Sequence, residues 1–401
     1  MTTSAQIIDA DAHFLEPPDW FQASFPALAE EIPPLSALDR VLSDIFGELL
    51  PPMFTGDPAS VLPSGIASNL ERITGYIEAG DMASLAKVLG ELDHGTVGYV
   101  AEDRIRWADE RGIDVQVLLP TLGIQPYISA LRSGRRDLSF KALSAYNTWA
   151  AEQVAGHTDR LIPASLVDLA DLPWALEEVS RMRALGSRVV QVKCEPAGDR
   201  SLAHPDFDPF WATVEDLGMS VMFHLQGGRP AYHLGWANTG GRQQDFFRTY
   251  LLETHRMAVW ALSSLILAGV LERHPRLSFF CSEMGIAWVP GFCESLDCSI
   301  RNDLLKNRPG AEHDFDYGLP LLPSEYVQRQ VRVTALTGLD DLQPTIDRAP
   351  EGVIVFSSDF PHREGSPDAL DIFDDRLGDV DDATRDRFFG TSAAASLGLN
   401  P

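Results

Sequence analysis

The sequence predicts an α/β fold, a (β/α)8 TIM barrel with an insert after the first strand. Eight short apolar segments punctuate the 401 residues, and amphipathic helical patterns separate most of them. The segments are mostly β-branched or aromatic, as parallel strands buried on both faces should be. Alternation repeated this often favours a closed barrel over a doubly wound sheet.

In order, the strand segments are Ile7–Asp11, Val115–Leu119, Leu161–Leu166, Arg188–Lys193, Met219–Phe223, Leu277–Cys281, Gln330–Thr334 and Val353–Phe356. Helical patterns cover Glu102–Arg111, Lys141–Gly156, Leu172–Leu185, Pro209–Leu217, the strongly apolar Ala258–Arg273, and Asp382–Phe389. Residues 17–100 and 227–255 fall outside the repeat. Both leave C-terminal ends of strands, where barrel active sites lie. The first reads as a lid or dimerisation insert and the second as a substrate loop, within one domain spanning 1–401.

Bulk properties narrow the function. A net charge of −26 repels phosphate backbones and anionic membranes, so a small-molecule substrate is expected rather than nucleic acid or lipid. No stretch approaches the length of a membrane helix, and the N-terminal residues lack a signal-peptide pattern. The four cysteines show no C-x-x-C spacing and read as reduced thiols of a cytoplasmic protein. A homodimer is the expected assembly. No G-x-S-x-G elbow, Walker loop or dinucleotide fingerprint is present.

Ligand-type residues stand at three strand ends. Simple alternation puts Asp9, Asp11 and His13 on one face of the first strand. His224 follows the fifth strand and Asp359 the eighth. In a closed barrel these ends converge on one mouth. Asp11, His13, His224 and Asp359 then form a mixed nitrogen and oxygen set for one divalent cation, Zn2+ first, with Mn2+ or Fe2+ as alternatives.

Five segments carry a family resemblance: Ile8–Pro17 (IDADAHFLEP), Gly112–Pro120 (GIDVQVLLP), Gly269–Leu277 (GVLERHPRL), Glu283–Pro290 (EMGIAWVP) and Ser357–His362 (SSDFPH). The chain resembles the amidohydrolase superfamily, in the branch of aminocarboxymuconate-semialdehyde decarboxylase and the dihydroxybenzoate decarboxylases. The resemblance covers both ends and most of the barrel, and residues 17–100 least. It implies that Asp11, His13, His224 and Asp359 bind metal, and that Asp359 also handles protons. An acidic residue at the position of Asp11 is found in other members of the branch. Lys193 ends the fourth strand, where some amidohydrolases carry a metal-bridging carboxylated Lys. The decarboxylase branch does not normally use that residue, so one metal is expected rather than a bridged pair.

One departure affects the expected reaction. Glu283 stands after the sixth strand, where the family's decarboxylases carry a His. It is either an acid–base group or a structural acceptor before Trp288. His255 is a candidate for a substrate or proton role, against helix capping. His362 either orients Asp359 or contacts substrate. The leading expectation is therefore hydrolysis of a small carboxylated or carbonyl-bearing, aromatic or other, molecule by a metal-activated water. The alternatives are non-oxidative decarboxylation of an aromatic or unsaturated acid, and a non-catalytic metal-binding barrel.

Overall fold

All eight expected segments form strands, and every neighbouring pair is parallel. They are β1 (Ile8–His13), β2 (Val115–Leu119), β3 (Leu161–Leu166), β4 (Val189–Gln191), β5 (Ser220–His224), β6 (Ser278–Ser282), β7 (Val331–Thr334) and β8 (Ile354–Val355). This computed structural model describes residues 6–17, 19–32, 95–225, 255–301, 318–362 and 365–399, with the backbone of 54–55 and 232–233. Most of the 17–100 insert and of the 227–255 loop lies outside the described residues. The two insertions meet where Phe54–Thr55 pairs with Tyr232–His233.

Backbone hydrogen bonds join the two ends of the sheet. Ala10 N donates to Phe356 O (3.2 Å), Asp359 N to Asp11 O (2.8 Å) and His13 N to Phe360 O (2.8 Å). The barrel is therefore a (β/α)8 fold, with helices Ala101–Glu110, Arg136–Gln153, Leu172–Ala184, Asp208–Asp216, Arg256–Leu267, Val289–Arg301 and Ala369–Leu377 among those between and after the strands. The apolar pattern expected over Ala258–Arg273 is two helices, broken at Gly269, whose φ of 72° terminates the first.

Side chains fill the barrel interior. Ile8, Ala10, Val115, Val117, Ile162, Ala164, Val189, Met222, Phe280 and Val355 form one buried cluster. The short helix Ser392–Leu397 joins it through Ala393, Ala394 and Leu397, and Ser220 Oγ donates to Ser396 O at 2.6 Å. The chain thus returns to close the end opposite the ligand-bearing strand ends. A second apolar layer lies between strands and helices and includes Trp211, Phe223, Leu262, Phe279 and Phe356. Cys194, Cys281 and Cys293 are buried, Cys298 is exposed, and all four are free thiols.

β1 departs from simple alternation. Ile8 pairs with Val115 and Asp9 with Gln116, but Ala12 pairs with Leu118 and His13 with Leu119, so one extra residue sits in β1. Such a bulge reverses the side-chain phase. Below it, Ile8 and Ala10 point into the barrel. Above it, Ala12 packs in the outer layer with Phe14 and Leu118. Asp11 and His13 consequently face the mouth, whereas Asp9, expected on their side, turns toward Gln116 and helix Ala101–Glu110.

Candidate metal centre

Asp9 clamps the ends of three elements together. Its Oδ1 accepts from Ser358 N (2.8 Å), and its Oδ2 accepts from Ser358 Oγ (2.6 Å) and Gln116 Nε2 (2.7 Å). Gln116 Oε1 in turn accepts from Arg104 Nε at 2.7 Å. Arg104 also donates to His13 O and Phe360 O, and its guanidinium lies over the Phe360 ring. The residues flanking this network are His13 and Asp359, so it fixes where two ligand side chains start.

Six side chains then converge. His13 Nε2 lies 3.4 Å from both Asp11 Oδ1 and Asp359 Oδ1. His224 Nε2 lies 3.8 Å from Asp11 Oδ1 and 3.3 Å from Glu283 Oε2. His362 Nδ1 lies 3.0 Å from Asp359 Oδ1 and 3.2 Å from Glu283 Oε1. Asp11, His13, His224, Glu283 and Asp359 are all buried. His362 lies at the edge, with 13% of its side chain exposed.

The donor set passes a direct test for a cation. His13 Nδ1 donates to Pro120 O at 2.9 Å, which fixes the tautomer and leaves Nε2 as a lone-pair donor aimed inward. That Nε2 and both carboxylate oxygens of Asp11 are buried with no hydrogen-bond partner among the described residues. A buried acceptor-only carboxylate facing an imidazole lone pair is costly unless a cation lies between them. Asp11, His13 and His224 offer one such group of ligand atoms, and His13, Glu283, Asp359 and His362 a second that shares His13.

Charge shifts follow from this packing. Burial, then the nearby Asp359 and Glu283 carboxylates, push Asp11 well above its usual range. Burial and the neighbouring His362 and His224 keep His13 neutral, the form a ligand needs. Burial works to lower the His362 imidazole, but Asp359 and Glu283 outweigh it and raise it well above an ordinary histidine. Burial likewise works to raise Glu283, yet His224 and His362 hold it below the usual carboxylate range.

Two backbone positions are unusual in the same place. Among the described residues, Glu283 (φ 59°) and Asp359 (φ 52°) are the non-glycine residues at positive φ. Such strain is costly and concentrates where geometry matters for function.

Every metal ligand expected from sequence is in this cluster, and so are Glu283 and His362. His255 is not part of it. Its ring is half-buried and stacks on Trp288, centroids 5.9 Å apart and planes within 7°. Lys193 lies over the Tyr127 ring at 4.7 Å, beside Glu195 at 3.9 Å. Three contributors were not singled out from sequence. Thr121 Oγ1 lies 3.0 Å from His362 Nε2, Pro120 supplies the carbonyl to His13, and Glu16 accepts from Leu122 N (2.7 Å) to hold the loop carrying both. Pro120 and Thr121 directly follow β2, a strand end of the same kind as those bearing the ligands, and that was the available signal.

A profile of the amidohydrolase family matches residues 8–399, almost the whole chain. The chain belongs to that family. A search of curated proteins found no match. Among solved structures, the chain is similar to an amidohydrolase from Mycobacterium avium subsp. paratuberculosis K-10, at 21% identity and TM-score 0.67, covering 100% of this chain and 99% of that one. It is similar to 2,6-dihydroxybenzoate decarboxylase from Rhizobium, at 18% identity and TM-score 0.55, covering 98% and 99%. It is also similar to 5-carboxyvanillate decarboxylase from Novosphingobium aromaticivorans, solved with manganese and 4-hydroxy-3-methoxy-5-nitrobenzoic acid. That match has 17% identity and TM-score 0.58, covering 99% and 97%. At these identities the likeness is one of fold. It agrees with the family match, which places the chain among the amidohydrolase-superfamily enzymes.

Proposed function

We propose that the protein is a metal-dependent carboxy-lyase that removes CO2, without a redox cofactor, from a small aromatic or unsaturated carboxylic acid. Hydrolysis, the leading expectation from sequence, rested on Glu283 replacing a decarboxylase His. The observation that carries the revised reading is His362. Its Nδ1 faces two acceptor oxygens, at 3.0 and 3.2 Å, so that atom carries a hydrogen at the edge of the cluster. An imidazole that β6 does not supply is thus supplied by the loop after β8. The likeness to two decarboxylases of phenolic acids supports the same reading.

Asp11, His13, His224 and Asp359 would hold one divalent ion. When bound, that ion supplies a Lewis acid that draws negative charge toward a substrate oxygen. As the bond to the carboxyl carbon breaks, its electron pair stays on the substrate carbon and CO2 departs. That carbon then takes the proton from His362 Nδ1. Thr121 Oγ1, beside Nε2, fixes the ring for this transfer. Asp359 and Glu283 keep the imidazole charged until the proton moves, and the buried walls limit water. Manganese in the carboxyvanillate enzyme supports Mn2+ alongside the Zn2+ expected from sequence. A cytoplasmic homodimer completes the proposal; among the described residues no helix is long and apolar enough to cross a membrane.

Product analysis tests it. A panel of hydroxybenzoates and vanillate-type acids in D2O should give CO2 with one deuterium in each product, and His362→Gln should lower the rate by about 10²-fold or more with metal content kept. Incorporation of oxygen-18 from water with no CO2 would establish hydrolysis instead.

A further inference from the structure

We infer that Glu283 is a fifth protein ligand to the same ion, which makes the site selective for Mn2+ or Fe2+ over Zn2+. The inference rests on the metal reading above. Adjacent ligand atoms on an ion held at about 2.1 Å lie about 3.0 Å apart in an octahedral shell and about 3.4 Å in a tetrahedral one. Glu283 Oε2 stands 3.3 Å from His224 Nε2, as close as any of the other contacts, which are 3.4 Å for His13 with Asp11 or Asp359 and 3.8 Å for His224 with Asp11. Its carboxylate is buried and, among the described residues, is paired with His224 and His362 rather than with a Lys or Arg.

The backbone makes an independent case. Glu283 and Asp359 share a positive φ, stand just beyond β6 and β8, and each deliver a carboxylate to this cluster. They also share an outer partner, since His362 Nδ1 bonds one oxygen of each, Glu283 Oε1 and Asp359 Oδ1. The other Glu283 oxygen, Oε2, faces His224. Glu283 thus shares with Asp359, an expected ligand, its backbone conformation, its place after a strand and its bond to His362. Three carboxylates and two imidazoles make a harder and more crowded set than the three or four protein ligands typical of zinc.

The test needs no turnover. Crystals of the full-length wild-type chain loaded with Mn2+ should show, by anomalous scattering, Glu283 oxygen within about 2.4 Å of the ion. In parallel, Mn2+ displacement by Zn2+, followed by electron paramagnetic resonance, should shift at least about tenfold toward Zn2+ in Glu283→His. An ion on Asp11, His13, His224 and Asp359 with Glu283 beyond about 3.5 Å, or an unchanged Mn2+/Zn2+ ratio, overturns this inference and leaves the metal reading intact. No bound ion at all overturns both.

Discussion

Replacing Asp9 with Ala should cost about 3–5 kcal/mol of stability, although Asp9 touches no expected ligand side chain. The magnitude follows from what the carboxylate holds. Fully buried, it accepts from Ser358 N, Ser358 Oγ and Gln116 Nε2 at 2.6–2.8 Å. Its removal strands three buried donors at about 1–3 kcal/mol each, partly offset by relief of its own desolvation. Arg104, pushed down to about 10 by burial and supported by the Asp9 charge, loses that support. Asp9→Asn keeps the shape and one acceptor, so it should cost about half as much. The assay is urea unfolding with EDTA present, followed by Mn2+ titration of the folded protein. The EDTA arm separates a structural clamp from a metal ligand, because a ligand's loss would not lower metal-free stability. A loss under about 1 kcal/mol in Asp9→Ala would refute the clamp and the bulge reasoning behind it.

Further outcomes follow from the same packing. Burial pushes the Glu16 carboxyl up to about 7, so the fold favours its neutral form. Its contribution is fully present below the unfolded value of about 4.5 and is lost as pH rises through about 7. Glu16→Gln should therefore raise the melting temperature at pH 8 and leave it nearly unchanged at pH 4.5; an equal shift at both would contradict this. Gly365→Ala places a methyl 2.2 Å from Ser358 O and 2.7 Å from Asp359 Cβ, contacts that backbone cannot relieve cheaply. It should cost about 1–3 kcal/mol and weaken Mn2+ binding about tenfold or more, checked by unfolding and by titration.

Much of the fold was legible because doubly buried strands leave short, nearly continuous apolar runs, and every one of the eight was found. The convergence of Asp11, His13, His224 and Asp359 was legible for a related reason: polar residues directly after such runs, in a closed barrel, have one place to meet. What escaped depends on contacts rather than on spacing. A single extra residue in β1 turns Asp9 outward, and alternation contains no sign of it. The bonds from His362 to Glu283 join residues 79 apart in sequence, so Glu283 read alone looked like a lost histidine when a histidine stands against it. His255 had the right residue type beside a strand-end loop, yet its ring stacks on Trp288.

The central claim is that Asp11, His13, His224 and Asp359 hold one divalent ion at the barrel mouth. Metal analysis of the full-length protein, purified after growth with Mn2+ and Zn2+ and compared with Asp11→Asn, measures it most directly. One equivalent per chain in the wild type, falling below about a tenth in the variant, is the predicted result. No metal in the wild type, or a full equivalent retained in Asp11→Asn, would contradict it.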